Sequence, residues 1–333
     1  MDIDDVSKTS ADYYTDSYSH FGIHEEMLKD DVRTESYRDA MLKNKHIFKD
    51  KVVLDVGCGT GVLSMFAAQA GAKLVIGVEM SEIMQYTKQI VKANGFEDKI
   101  VLLHGKMEEV KLPVKEVDII ISEWMGYFLL YESMLDTVLW ARDNYLKKGG
   151  LVFPDRAVMK VCAIEDAEYR TEKIDFWDDV YGFDMTCIKK TALLEPLVDT
   201  VESDAMISNS GTLFDININT VKVEELSFKK DFKIVFNRND TCHAVVVYFD
   251  TIFDHGLDTK IQFGTGPADD YTHWKQTVFY LNDIMNVTCG DTLSGTITSK
   301  PNKGNPRDLD ITIDYVYDIK GKRVSGTQFY RLR

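Results

Sequence analysis

The sequence predicts an α/β domain built on a parallel sheet, followed by an all-β domain, within 333 residues. Three observations carry this. From Lys51 to Phe153 short β-branched runs alternate with longer helical stretches, as crossover connections between parallel strands require. Within that region, "VLDVGCGTG" puts a glycine-rich turn where the first strand meets the first crossover helix. After Pro154 the hydrophobic period shortens to two, the pattern of antiparallel strands in a sandwich or barrel. The domains are therefore expected at 1–154 and 155–333.

Helical spacing from Glu25 to Asn44 predicts a helix covering one end of the sheet. "KVVLDV" is the first strand, and "VLSMFAAQA" is a helix closed by Gly71. "KLVIGVE" is the second strand; Ser81 to Asn94 is a helix capped by Ser81, with Gly95 just past its end. "KIVLLHG" and "VDIIISE" supply two more strands, Glu132 to Leu146 is helical, "KKGG" turns the chain and "LVFP" opens another strand. Beyond Pro154, "HAVVVYFDTIF", "TLSGTITSK" and "DLDITIDYVYD" alternate as strands do. The segment from Glu165 to Asp199 is different, because Phe176, Trp177, Tyr181, Phe183 and Met185 lie in it without strand alternation. Such an insertion packs on its own chain or buries its apolar surface in a partner subunit.

A net charge of -15 disfavours a nucleic-acid backbone as partner and favours cationic ones. No apolar run approaches the roughly 20 residues that span a bilayer, and "MDIDDVSKTS" lacks the basic start and apolar centre of a signal peptide, so the nucleus or cytosol is expected. Cys58, Cys162, Cys187, Cys242 and Cys289 form no CxxC pair, which points to neither a disulfide framework nor a zinc site.

The glycine loop is of a kind that several nucleotide-binding folds share. Dinucleotide folds read GxGxxG and meet a pyrophosphate, whereas here the third glycine comes one position early and Asp55 precedes the loop. An anionic approach suits a ligand with positive charge and no phosphates, as in S-adenosylmethionine. Glu79 ends the second strand where a ribose acceptor is needed, and Glu108 follows the third strand where an adenine amino group can be met. "ISEWMGYFLLYESML" sets Glu123 and Glu132 in an apolar stretch that contains no lysine or arginine. Buried carboxylates need a cation or hydrogen bonds, so the expected cation is the substrate.

Read together, "GIHEEMLKD", "VLDVGCGTG", "IISEWMGYFLLYESML" and "YTHWKQTVFY" resemble, in order, the motifs of protein arginine methyltransferases of type I, with "VYGFDM", "EPLVD" and "DLDITID" adding to the match from about Asp12 to Arg333. The resemblance implies a Rossmann-like class I S-adenosylmethionine methyltransferase domain, then a β-barrel with an inserted helical dimerisation arm at about 165–199. It implies that His24, Arg33, Gly57, Glu79 and Glu108 bind S-adenosylmethionine, Arg33 taking its carboxylate, Glu79 its ribose and Glu108 its adenine. Glu123 and Glu132 match the family's two catalytic glutamates, Met27 and Met134 its pocket methionines, and His273 and Asp30 its proposed relay. Tyr14 and Tyr18 match the helix that closes over the cofactor, with Thr15 where the family has an aromatic. The implied substrates are arginine- and glycine-rich segments and histone tails, the products mono- and asymmetric dimethylarginine, the assembly a homodimer, and the location nucleus and cytoplasm.

The chemistry accounts for these residue types. A guanidinium is planar and protonated, and two glutamates grip it bidentately, leaving one nitrogen richer in electrons toward the methyl. In-line transfer then needs positioning and charge placement and no metal. Two other readings remain: a methyltransferase for a nucleobase or small molecule, which usually carries an Asp/Asn-Pro-Pro-aromatic motif where this chain has "SEWMGY", and a non-catalytic scaffold for arginine-rich tails.

Overall fold

The computed structural model describes residues 18–319 and 322–333. Tyr14 and Thr15 lie outside them. Where the sequence predicts one helix from Glu25 to Asn44, two are found, α1 (Phe21–Lys29) and α2 (Asp31–Leu42). The break is Asp30, whose extended backbone (φ -74°, ψ 93°) lets its carboxylate accept the Arg33 N–H at 2.9 Å and cap α2. A short α3 (Lys45–Phe48) leads into the sheet.

The parallel sheet contains β1 (Val52–Val56), β2 (Leu74–Glu79), β3 (Ile100–His104), β4 (Val117–Ile121) and β5 (Leu146–Phe153), in the order β3-β2-β1-β4-β5. Helices α4 (Val62–Gln69), α5 (Met84–Ala93) and α6 (Leu135–Tyr145) make the crossovers. Val53, Leu54, Val75, Ile76, Ile120 and Ile121 are fully buried, as strands covered on both faces must be. The strand order reverses between β1 and β4, which opens a crevice at their carboxyl ends. Both the glycine loop and the stretch from Ser122 to Met134 leave the sheet at that crevice.

Three boundaries differ from expectation. Helix α5 starts at Met84, and Ser81 does not cap it. Helix α6 starts at Leu135, because Glu132 has a φ of 53° that no helix accepts. "KKGG" belongs to β5, which begins at Leu146 directly after α6.

Asp55 also departs from its expected role. Its carboxyl group is buried in β1, accepts the Ser64 hydroxyl at 2.6 Å, and leaves Oδ1 without a partner among the described residues, so it does not line the ligand crevice as a charge. Burial, with a further push from Glu79, raises this carboxyl to about 7. From about pH 4, where an unfolded aspartate titrates, up to about 7 the folded state keeps a proton that the unfolded chain has released. Stability from this residue therefore falls as pH rises through that window. Asp55→Asn, neutral in both states, should gain in Tm relative to wild type as pH climbs from 4 to 8; a wild-type-to-variant Tm difference that does not change with pH contradicts this.

The second domain is built from β6 (Arg156–Ile164), β7 (Leu197–Asp199), β8 (Gly211–Asn217), β9 (Phe228–Val235), β10 (Asp240–Phe253), β11 (Ile261–Gly264), β12 (Gln276–Val287), β13 (Thr292–Pro301), β14 (Leu309–Ile319) and β15 (Lys322–Leu332). Its sheets run β7-β12-β10-β6-β8, with β11 on β10, and β15-β14-β13-β9. They meet along β8 with β9 and β12 with β15, and so form the barrel. The barrel is fastened to the first domain by Arg142, which donates to the carbonyls of Ile218 and Val221, and by Asn44, which exchanges hydrogen bonds with the Thr259 backbone. The Tyr37 and Phe253 rings meet edge to face at 4.9 Å across the same boundary.

The insertion is an arm of short helical turns, including Arg170–Ile174 and Thr186–Ala192. Its base is pinned by the buried Arg170, which donates to the carbonyls of Leu281 and Asn282 and pairs with Asp175. Farther out, Phe176, Tyr181 and Phe183 are exposed, Tyr181 at 96%.

Candidate active site

A cavity of about 360 Å³ occupies the crevice. Gly57, Gly59 and Gly61 all have positive φ, which bends the loop sharply enough to expose its backbone to the cavity. A Cβ at Gly57 would also push aside the end of the Met134 side chain. Glu79 holds the loop, its Oε2 accepting the Gly59 N–H at 3.0 Å and its Oε1 the Ser81 N–H at 2.8 Å. Each oxygen keeps further lone-pair capacity toward the cavity. His24, from α1, reaches over Gly59 and bonds the Tyr18 carbonyl through Nε2 at 2.8 Å. Glu108 accepts the Thr137 hydroxyl at 3.0 Å on the far wall.

The glutamate stretch forms a tight hairpin, with bridges from Gly126 to Leu129 and from Tyr127 to Tyr131. Phe128, Leu129 and Glu132 all sit at φ between 52° and 63°, conformations costly to side chains and held only by their surroundings. Those surroundings are specific. The Tyr37 hydroxyl donates to the Ser122 carbonyl, the Ser122 hydroxyl to the Val56 carbonyl, and Trp274 Nε1 to the Met125 carbonyl.

Glu123 and Glu132 both line the cavity, with Met27, Met134 and Tyr18. Contrary to the sequence expectation, Glu123 does find a cation in its own chain: Arg33 Nε donates to Oε2 at 3.0 Å, and both side chains are less than a tenth exposed. Arg33 is far from Glu123 in sequence, which is why inspection of the stretch itself missed the pair. The other oxygen, Oε1, is buried and has no partner among the described residues. Glu132 is half-buried, and its carboxyl is raised above the usual range, chiefly by burial, with Arg307 pulling it down and Asp308 pushing it up.

Asp30 and His273 are brought together but outside this cavity. They line a separate open cleft with Glu25, Glu26, Lys29 and Tyr271. His273 Nδ1 lies 2.6 Å from Asp30 Oδ2, which also accepts the His273 N–H at 2.9 Å. Burial would raise Asp30, yet the His273 side chain and the Arg33 and His273 amides outweigh it and hold the carboxyl below its ordinary value. Among the described residues no group of three His, Cys, Asp or Glu side chains is placed to hold a metal ion.

Residues 53–150 match a family model described as a methyltransferase domain, and residues 155–320 one described as the arginine methyltransferase oligomerization subdomain. Protein arginine N-methyltransferase 1 of Schizosaccharomyces pombe is 59% identical over 314 residues, 94% of this chain and 92% of that one. The chain belongs to the protein arginine N-methyltransferase family. Protein arginine N-methyltransferase 1 of Chlamydomonas reinhardtii is 55% identical over 98% of this chain and 94% of its own. A chain of the Trypanosoma brucei PRMT1 enzyme-prozyme heterotetrameric complex with AdoHcy superposes with a TM-score of 0.93, at 49% identity, over 95% of this chain and 100% of that one. Arabidopsis thaliana protein arginine methyltransferase 10, described as uniquely open, gives 0.86 at 29% identity, over 96% of this chain and 99% of that one.

As a protein arginine N-methyltransferase the chain uses S-adenosylmethionine, and its residues fit that molecule. Glu79 retains acceptor capacity, and Gly57 and Gly59 line the cavity with backbone that carries no side chain. Sequence reading of the methyltransferase missed Arg307, which the turn between β13 and β14 carries to the cavity beside Glu132. No local pattern announces it, since its position depends on how the barrel docks. Trp124 was in view inside the hairpin motif but hidden as one more apolar residue; it is 1% exposed, lines the cavity, and its Nε1 has no acceptor among the described residues.

Proposed function

We propose that Glu123 and Glu132 hold the guanidinium of a substrate arginine, and that the enzyme is a type I methyltransferase making mono- and then asymmetric dimethylarginine in arginine- and glycine-rich proteins and histone tails. The observation that carries this is that Glu123 and Glu132 line one cavity, with Glu123 Oε1 buried and without a partner among the described residues. Arg33 already satisfies Oε2, so Oε1 is left to accept one guanidinium N–H while Glu132 accepts another. S-adenosylmethionine would be held by His24, Arg33, Gly57, Glu79 and Glu108 and would supply an electrophilic methyl group on sulfur; the free guanidinium nitrogen would gain the new N–C bond as the C–S bond breaks, the electron pair staying on sulfur. Glu132, with a carboxyl already raised by burial, takes the proton released by nitrogen, whereas the His273–Asp30 pair, outside the cavity, fixes α1 and α2 against the barrel. Slender Met27 and Met134 leave room for an already methylated nitrogen.

Incubation with methyl-labelled S-adenosylmethionine and a glycine- and arginine-rich peptide, read by mass spectrometry that resolves the isomers, tests this. Asymmetric dimethylarginine is expected; symmetric product alone, or no transfer with cofactor still bound, overturns it. A net charge of -15 and the Glu25, Glu26 and Asp30 carboxylates in the neighbouring cleft favour a cationic tail. The KM for such a peptide should accordingly rise severalfold between low and physiological salt; a salt-independent KM contradicts this.

The exposed aromatics of the arm support a homodimer, which fits the oligomerization subdomain. Tyr181→Ser with Phe183→Ser should convert a dimer into a monomer in sedimentation, and a dimer unaffected by both changes refutes the assignment. The enzyme resides in both nucleus and cytoplasm, where such tails are made and used; a tagged chain confined to one compartment would contradict this.

A further inference from the structure

Helix α5 turns Met84, Thr87 and Val91 toward the core, the i, i+3 and i+7 face of an amphipathic helix. A threonine on that face departs from the pattern, because a fully buried hydroxyl costs stability unless it is bonded. Its Oγ1 lies 3.1 Å from the Ile83 carbonyl one turn back, a local bond open to any threonine in a helix. The shorter bond leaves the helix: the hydroxyl donates to the Gly59 carbonyl at 2.5 Å, 28 residues away in sequence. The Thr87 methyl lies against a second glycine of the same loop, since a Cβ on Gly61 would meet it at 3.0 Å. Gly59 is therefore held from both sides, its N–H by Glu79 and its carbonyl by Thr87, at a φ of 51° that glycine enters freely and does not keep unaided.

We propose that Thr87 is a positioning residue for S-adenosylmethionine: it lies behind the cavity wall and ties the backbone of the glycine loop to α5 in the shape the cofactor meets. The inference rests on the reading of the glycine loop as part of the cofactor site and names what keeps that loop in shape. A glycine loop free to wander must be ordered as the ligand binds, and affinity falls by the free energy of that ordering. A loop already clamped by Glu79 and Thr87 is ordered before the ligand arrives.

The test is isothermal titration of S-adenosylhomocysteine into wild type, Thr87→Val and Thr87→Ser, with steady-state kinetics on an arginine peptide. Valine keeps the shape and the methyl but has no donor, so Kd should weaken by about threefold to tenfold, the effect of one net hydrogen bond. The KM for S-adenosylmethionine should rise by a similar factor while kcat at saturating cofactor holds, because the loop is ordered once the ligand is in place. Thr87→Ser keeps the hydroxyl and loses the methyl, and should bind close to wild type. Wild-type affinity in Thr87→Val overturns the proposal. Serine as weak as valine overturns it too, since packing by the methyl would then be the cause, and so does a kcat that falls in step with the affinity. Wild type that fails to bind S-adenosylhomocysteine would overturn the cofactor reading and this inference with it, whereas equal binding by wild type and Thr87→Val overturns the inference alone.

Discussion

Replacing Glu123 by glutamine should lower kcat for an arginine peptide by roughly 10²–10³, the usual cost of removing one positioned electrostatic group from a water-excluded site. The glutamine keeps the shape but loses the charge that Oε1 offers to the guanidinium. It also deprives Arg33 of its carboxylate, and removing one partner of a buried ion pair costs about 3–5 kcal/mol. Tm should therefore fall by several degrees, and affinity for S-adenosylhomocysteine should change as Arg33 is released. Glu132→Gln separates the two effects. It is half-buried and has no carboxylate-to-Arg33 bond to lose, so kcat should fall comparably with a smaller change in Tm. Because its carboxyl is raised by burial, wild-type activity should decline on acidification at a pH above the ordinary glutamate range, and Glu132→Gln should lose that limb of the profile. Turnover within a few fold of wild type in both variants would make the glutamates structural.

Gly126→Ala should be nearly as damaging, though Gly126 offers no chemical group. A Cβ at this position would overlap the Tyr131 carbonyl, with further contact on the Ser133 amide, so the hairpin cannot close. Opening it moves Glu132 away from Glu123, and a displacement of about 1 Å is enough to cost about 10² in rate. The expected result is a kcat reduced about 100-fold or more together with a lower Tm, while S-adenosylhomocysteine, whose proposed contacts lie outside the hairpin, still binds. Normal kcat in Gly126→Ala would show that the hairpin tolerates a different path and that its left-handed residues are incidental.

The alternation of β-branched runs and helices made the parallel sheet legible, because the central strands are covered on both faces and leave apolar runs such as Val52–Leu54 and Ile119–Ile121. Period two exposed the barrel strands for the complementary reason. Helix ends were less legible. Asp30 splits a helical pattern because its side chain caps the second half, and Ser81 imitates a cap without being one. In the site, the carboxylates stood out because they interrupt an apolar stretch, but what surrounds them did not. The Arg33–Glu123 pair and the approach of Arg307 to Glu132 are products of tertiary packing between segments far apart in the chain. Asp55 failed in the opposite direction: a charge written beside the glycine loop is folded beneath it, onto Ser64.

In the proposed complex the substrate guanidinium completes the buried Oε1 of Glu123 and the carboxylate of Glu132. The most direct measurement is a structure of the enzyme with S-adenosylhomocysteine and an arginine-containing peptide. Guanidinium nitrogens are expected within about 3.2 Å of both carboxylates, with Arg33 still on Oε2 or moved to the cofactor carboxylate. An arginine side chain bound elsewhere, with Oε1 of Glu123 met by water or by a protein group, would contradict it.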